Sequence, residues 1–186
     1  DGVRVSDAES GLVEWSTVPG SAIARIETAR GPGASLYGDA AVGGVIQVLT
    51  ASERTGGALT LTVGSLGSMT GDATARWRRT DLSGFIAGAG RRTDGITEHS
   101  HATEATVGGA VNGATNGLSW RWTANVLHRD QQDPGVLSLS QRQADLSFDP
   151  LFRFDYRHRA TLQTSLSVRS GGSAWTQQAR LSLDRR

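Results

Sequence analysis

The sequence has 186 residues, 37% hydrophobic and only 6% aromatic, with 24 glycines, a composition lean for a soluble core of this size yet too apolar for disorder. Nineteen basic against 18 acidic residues leave a net charge of +1, so nothing in the charge balance points to a nucleic-acid partner. The absence of cysteine excludes a disulfide scaffold, thiol chemistry and Cys-ligated zinc, and no stretch approaches the 18 apolar residues of a transmembrane helix.

In chain order, Asp1-Gly2-Val3-Arg4-Val5 has the character of a strand interior and not of a signal peptide. A polar loop, Ser6 to Gly11, leads through Leu12 to Trp15 towards a turn at Val18-Pro19-Gly20. The most structured stretch follows, Ile23 to Thr50. Its apolar runs Ile23–Thr28 and Val45–Thr50 have strand length and composition. Between them lie five glycines and Pro32, so Gly31-Pro32-Gly33 is expected to turn tightly. Ala34 to Val42 has room for one or two helical turns capped by Ser35 or Asp39. Gly31, Gly38, Gly43 and Gly44 are then backbone requirements, not ligand contacts.

The order Arg25-Ile26-Glu27, Arg30-Gly31-Pro32, Leu36-Tyr37-Gly38 and Ala41-Val42-Gly43-Gly44-Val45-Ile46 resembles the end of the plug domain of TonB-dependent outer-membrane transporters. The resemblance covers residues 1–50 and gives Arg25, Glu27, Arg30, Gly31, Pro32, Tyr37, Gly38, Gly43 and Gly44 the role of structural motif residues. It implies that the earlier plug half and the box gripped by the energy-coupling protein TonB precede Asp1. It also implies ion pairs between plug charges and a barrel wall, for which Asp72, Arg76 and Arg121 are the wall candidates.

From Gly57 the pattern changes to alternation. Leu59, Leu61 and Val63 oppose Thr60 and Thr62. Met69, Gly71, Ala73, Ala75 and Trp77 oppose Thr70, Asp72, Thr74, Arg76 and Arg78. Trp120, Trp122, Ala124 and Val126 oppose Ser119, Arg121, Thr123 and Asn125. Ala160, Leu162, Thr164, Leu166 and Val168 oppose Arg159 to Ser167, and Trp175, Ala179, Leu181 and Leu183 oppose Thr176 to Asp184, with Gln177 the polar exception. Ser83–Arg92 and Thr103–Gly113, rich in Gly and Ala, alternate less cleanly. Period two over about ten residues is what a membrane barrel needs, because only a closed barrel pairs every strand backbone group inside lipid. A charge on the lipid side costs about 2–4 kcal/mol at the midplane, and the apolar faces carry none. Trp77, Trp120, Trp122 and Trp175 suit an interfacial girdle. A soluble sandwich would also alternate, but would need more Val, Ile and Phe to fill its core.

The expected fold is therefore an all-β membrane β-barrel, about seven antiparallel strands of a probable 22, preceded by the end of a small α+β plug domain. Residues 1–54 form the plug end and 55–186 the first barrel strands, truncated inside the seventh, and such a piece is not expected to fold stably alone. Turns at 80–83, 114–117 and 169–173 would be periplasmic; connections near 66, 94–102 and 129–155 would be extracellular.

In those outer connections Asp94, Glu98, His99, His101, Asp130 and Asp133 are candidate ligand-facing residues. Glu98, His99 and His101 have two readings, contact with a metal or metal chelate and a solvated loop. Asp130 to Gly135 followed by Leu137 to Gln141 predicts a turn and a short helix capped by Ser138 or Ser140. Arg157-His158-Arg159 at a strand entrance has the position of lumen lining or a headgroup contact. No nucleophile–base pair or phosphate loop is present, so no enzyme activity, catalytic residue, resident metal or cofactor is expected.

The implied function is active uptake of a scarce solute, an iron–siderophore, cobalamin or similar, across the bacterial outer membrane. Its partners are TonB, outer-membrane lipid and the small-molecule or metal-chelate substrate, with no nucleic acid. A passive porin or adhesin-type barrel and a soluble β-rich binding domain are the alternatives.

Overall fold

A computed structural model describes residues 5, 13, 15–31, 41, 43–50, 55–143, 149–171 and 176–185. Strand β1 (Arg25–Arg30) pairs antiparallel with β2 (Gly44–Leu49), Arg25 facing Leu49 and Arg30 facing Gly44. The Pro32 turn, Tyr37, Gly38 and the helical turn expected at Ala34 to Val42 fall outside the described residues, apart from Ala41. At the hairpin's base Gly31 has φ 106° and Gly44 φ 147°, backbone that favours glycine. A Cβ on Gly44 would lie 2.5 Å from the Ala29 carbonyl oxygen. Gly44→Ala should therefore destabilise the β1–β2 hairpin by about 1–3 kcal/mol, seen as faster hydrogen exchange of the Thr28 and Ile46 amides.

The second sheet is a seven-stranded antiparallel meander in chain order. It comprises β3 (Gly56–Val63), β4 (Met69–Arg78), β5 (Leu82–Thr93) and β6 (Ala102–Thr115), then β7 (Leu118–Gln132), β8 (Tyr156–Gly171) and β9 (Thr176–Arg185). These are the seven strands the alternation predicts. β7 and β8 run further than their apolar pattern, with Gln132 paired to Tyr156, because ladder hydrogen bonds continue where the side chains have turned polar.

One end of the sheet carries tight turns. Asn116 (φ 44°) and Gly117 (φ 80°) have the two left-handed residues of a type I′ turn, and Arg79 N–H donates to the Leu82 carbonyl across the β4–β5 turn. The other end carries the connections 94–101 and 133–155. The latter includes a helix α1 (Leu139–Gln143) and a 3-10 turn at Pro150–Phe152. Ser138 caps α1 reciprocally: its Oγ accepts from Gln141 N–H, and its own N–H donates to Gln141 Oε1.

The faces of the sheet are sorted in reverse of a soluble protein. Leu59 (70% exposed), Val107, Trp122, Val126 (49%), Leu162 and Leu166 lie open on one face. The opposite face buries Thr74, Thr106, Thr123, Thr161, Gln163 and Ser165 beside Phe85, Ala87 (2%), Ala110 and Leu127 (1%). Polar atoms on the open face are satisfied within it, since Trp122 Nε1–H donates to Thr164 Oγ1, which donates to the Thr123 carbonyl. Along β4 to β7 the buried polar face is covered by the 3-10 turns Trp15–Thr17 and Gly20–Ala22, and Ala22 packs with Phe85, Ala87 and Ala110.

Candidate functional site

The site is the junction between the N-terminal segment and the polar face of the sheet. The chain contains no lysine, so every cation facing the junction is an arginine, a planar fork able to bond two acceptors. Arg76 on β4 donates to the Ser21 carbonyl at 2.5 Å, while Ser21 Oγ donates to the Ala73 carbonyl at 3.3 Å. Arg121 on β7 donates to Asn112 Oδ1 at 2.7 Å and to Thr50 Oγ1 at 3.1 Å. Arg129, further along β7, pairs with Glu104 and donates to Ser16 Oγ. Three arginines thus hold the stretch around Trp15–Ala22 and the residue that follows β2.

Pro19 is fully buried between those contacts, and its seat depends on Gly108. A Cβ there would meet Asn125 Oδ1 at 2.2 Å and Pro19 Cδ at 3.3 Å. Towards the tight-turn end, a groove of about 500 Å³ lined by Arg78, Arg121, Arg169, Asn112 and Ser119 continues the polar face. Hydroxyls turn back onto strand carbonyls, as Thr74 does to Ile86 and Thr106 to Val126. The surface is wet in chemistry and largely satisfied through its own hydroxyls, although Gln163 Oε1 is buried on it without a hydrogen-bond partner among the described residues.

Of the motif residues, Arg25 and Glu27 pair with each other on β1 at 2.7 Å, both largely exposed. The wall candidates Arg76 and Arg121 reach the N-terminal segment at a carbonyl and a hydroxyl oxygen, those of Ser21 and Thr50. A neutral oxygen can accept from a guanidinium as a carboxylate does. Arg30 closes β1, and Gly31 N–H donates to the Gly43 carbonyl. Pro32, Tyr37 and Gly38 lie outside the described residues.

The six loop candidates lie at the long-connection end, Asp94, Glu98, His99 and His101 on the 94–101 connection, Asp130 near the end of β7 and Asp133 just beyond it. His101 Nδ1 lies 3.3 Å from Asp94 Oδ1, with Arg92 on the same carboxylate oxygen at 3.8 Å. Asp130 lies between His128 Nε2 (3.1 Å) and His158 Nδ1 (2.5 Å), on one carboxylate oxygen each. His99 Nε2 reaches the Asp155 carbonyl at 3.2 Å, and Glu98 precedes it on the same connection. Among the described residues no group of three or more His, Asp or Glu is arranged to hold a metal ion.

Asp133 Oδ1 accepts from Gly135 N–H at 3.1 Å, and its other oxygen meets Arg157. The Gly135 amide first, then the Arg157 guanidinium, hold this carboxyl below the usual carboxylate range. A depressed folded value stabilises the turn above the ordinary aspartate range and loses that contribution as the pH falls through the lowered value. The 133–135 turn should therefore be unchanged from neutral to mildly acid solution and should open below it, measured by exchange of the Gly135 amide.

Sequence reasoning missed Ser16, Ser21, Thr50, Arg129 and Gly108 as junction residues, and His128 as a partner of Asp130. Alternation places Arg129 on the polar face, but only the register, with Glu104 directly opposite, makes it a paired group.

Residues 1–45 match the family model for the TonB-dependent Receptor Plug Domain. Over 68 residues, 36% of this chain and 11% of the relative, the sequence is 41% identical to the "Vitamin B12 transporter BtuB" of Vibrio cholerae serotype O1 (strain M66-2). Over 180 residues, 93% of this chain and 28% of the relative, it is 26% identical to the protein of that name in Vibrio vulnificus (strain CMCP6). The chain thus spans 11% to 28% of the length of these curated relatives.

Proposed function

We infer, from the premise that this chain is part of a TonB-dependent receptor in which a plug end meets barrel strands, that it serves active uptake of a scarce solute through the outer membrane. The observation that carries this reading is the inversion of the sheet. Side chains fit for lipid face out, while hydroxyls, amides and arginines lie on the opposite face, which meets the N-terminal segment along β4 to β7. Residues up to about 54 are the plug end, and β3 to β9 are wall strands. The tight turns then lie on the periplasmic side and the 94–101 and 133–155 connections outside.

In this mechanism the solute binds at the outer connections and the plug surface. TonB delivers inner-membrane energy to the plug, and the plug leaves its seat. No bond is made or broken; transport follows from unequal affinity for seated and displaced states. Arg76, Arg121 and Arg129 define the seated state through hydrogen bonds to Ser21, Thr50 and Ser16. Such bonds contribute about 1.5–3 kcal/mol each when charge-assisted, enough to close the path yet small enough for a pulling partner to overcome.

The relatives' printed name favours cobalamin as the solute. The test is uptake of radiolabelled cyanocobalamin by cells that lack their own cobalamin transporter and carry the full-length receptor. Energised accumulation that disappears when TonB is deleted supports the reading. Accumulation indifferent to TonB would make the protein a passive pore. Uptake of a ferric siderophore but not cobalamin would keep the mechanism and change the solute.

A further inference from the structure

The strand register gathers arginines of the polar face into a row at each end of the sheet. Near the long connections, Arg91, Glu104, Arg129 and Arg159 stand opposite one another on β5 to β8, and Glu104 pairs with Arg129. Near the tight turns the row is Arg78, Ser83, Asn112, Arg121 and Ser167, on β4 to β8, and none of these residues is acidic. Arg169 follows Ser167 on the same face of β8. Here the wall is concave, with the groove of about 500 Å³ already described, a size common for small-molecule sites. Arg78 forms one bank, Arg121 and Arg169 the other, and Ser83 and Asn112 lie on the floor between them. Three strand spacings separate the backbones of Arg78 and Arg121, about 14 Å, which leaves room for one small group between two extended arginine side chains. Arg121 is held in position, since it donates to Asn112 Oδ1 at 2.7 Å and to Thr50 Oγ1 at 3.1 Å. Among the described residues that line the groove, Asp81 is the one carboxylate.

We propose that this groove is a binding site for a phosphate group, free or carried on a small molecule or lipid headgroup. A guanidinium is a planar fork whose N–H groups match pairs of phosphate oxygens. The forks here come from β4, β7 and β8, so the anion must offer oxygens to more than one side. A tetrahedral phosphate does that, whereas a carboxylate has only two oxygens in one plane. The hydroxyls of Ser83 and Ser119, which also line the groove, are able to donate to the remaining oxygens. Asp81 opposes the anion and tempers its affinity. Because Arg121 also holds Thr50, the residue after β2, the site borders the plug end. Its place at the periplasmic mouth, on the path of a departing solute, rests on the uptake reading; phosphate binding itself does not.

The test is titration calorimetry of the full-length receptor in an uncharged maltoside detergent. The probes are inorganic phosphate, glycerol 3-phosphate, dihexanoylphosphatidylglycerol below its micellar concentration, and acetate. Binding of the phosphate-bearing probes, with acetate weaker, is the expected result, and the tightest of the three identifies a free ion, a small phosphate ester or a lipid headgroup as the source. Arg78→Gln and Arg169→Gln should each weaken phosphate binding about tenfold, as loss of one charge-assisted hydrogen bond does. Asp81→Asn should tighten it roughly twofold to fivefold, a gain that misfolding cannot produce. Arg92→Gln, at the other end of β5, should leave it unchanged. The proposal is overturned if the unsubstituted receptor binds none of the phosphate probes, if acetate binds more tightly than phosphate, or if Arg78→Gln and Arg169→Gln combined leave binding undiminished. Binding is read on the purified receptor, so its failure is distinguishable from a failure of uptake.

Discussion

Arginine in place of Val126 is expected to keep most of the receptor from reaching its folded, membrane-embedded form. Val126 lies on the open face, directly opposite Val107 on β6 and Leu162 on β8, with Trp122 and Leu166 nearby on the same face. A guanidinium there is flanked by Val107 and Leu162 and not by a carboxylate, and on the proposed barrel it faces hydrocarbon. The cost near the midplane is about 2–4 kcal/mol, more than a tenfold fall in the equilibrium constant for folding and insertion. Heat-modifiable gel mobility of extracted membranes measures that fraction. The control is Thr60→Arg on the other face, directly opposite Asp72 on β4, where the new charge meets water and an opposite charge and should cost little. The same residue type should thus be ruinous on one face and tolerated on the other. A soluble sandwich with its core on the Val126 side would also reject Val126→Arg, but would not place Leu59 and Val107 in contact with lipid.

The second large effect is expected at Gly108. A methyl group there collides with the Asn125 amide, which can swing aside, so Gly108→Ala should cost about 1 kcal/mol or less. Gly108→Leu carries its branch into the seat of Pro19, only 3.3 Å beyond the first added carbon. The stretch from Trp15 to Ala22 must then lift from the sheet, which weakens the hydrogen bonds from Arg76 to Ser21 and from Arg129 to Ser16. Overpacking of this kind costs about 1–3 kcal/mol, and its consequence is a displaced plug instead of an unfolded wall. Cells carrying the leucine variant should admit bulky antibiotics that the outer membrane normally excludes, while the receptor keeps its gel mobility. An impermeable variant with unchanged exchange at residues 15–22 would show that Pro19 does not hold the seat.

The wall was the most legible part of the sequence because a strand between lipid and a wet lumen must alternate along nearly its whole length. Leu59 to Val63 and Trp120 to Val126 declare their faces without any partner being known. The turn at Asn116-Gly117 was equally readable, since both residues favour left-handed backbone. Strand ends were less so. Residues 129–132 and 156–158 belong to paired strands, yet their side chains have left the apolar band, so periodicity falls silent where hydrogen bonding continues.

The junction was legible in kind but not in detail. Arg76 and Arg121 could be placed on the inward face, but their acceptors, a carbonyl and a hydroxyl, carry no signal in composition. The Ser16–Arg129 contact joins residues 113 apart, and only the three-dimensional register creates it. At the outer end, Asp94, His101 and Asp130 were singled out as loop residues, and each has its partner there. His158 was read with its arginine neighbours as one cationic patch. The pleat separates them: His158 pairs with Asp130, whereas Arg157 and Arg159 alternate to the opposite face.

The most direct test of the central claim, that the buried polar face looks at the plug while the apolar face looks at lipid, is depth-resolved quenching in the full-length receptor. Environment-sensitive fluorophores on single cysteines at Val107 and Leu162, and in separate proteins at Thr106 and Thr161, would be exposed to lipids with brominated acyl chains. Strong quenching at Val107 and Leu162 with none at Thr106 and Thr161 is the predicted result. Equal quenching at all four positions, or quenching confined to the two threonines, would contradict it.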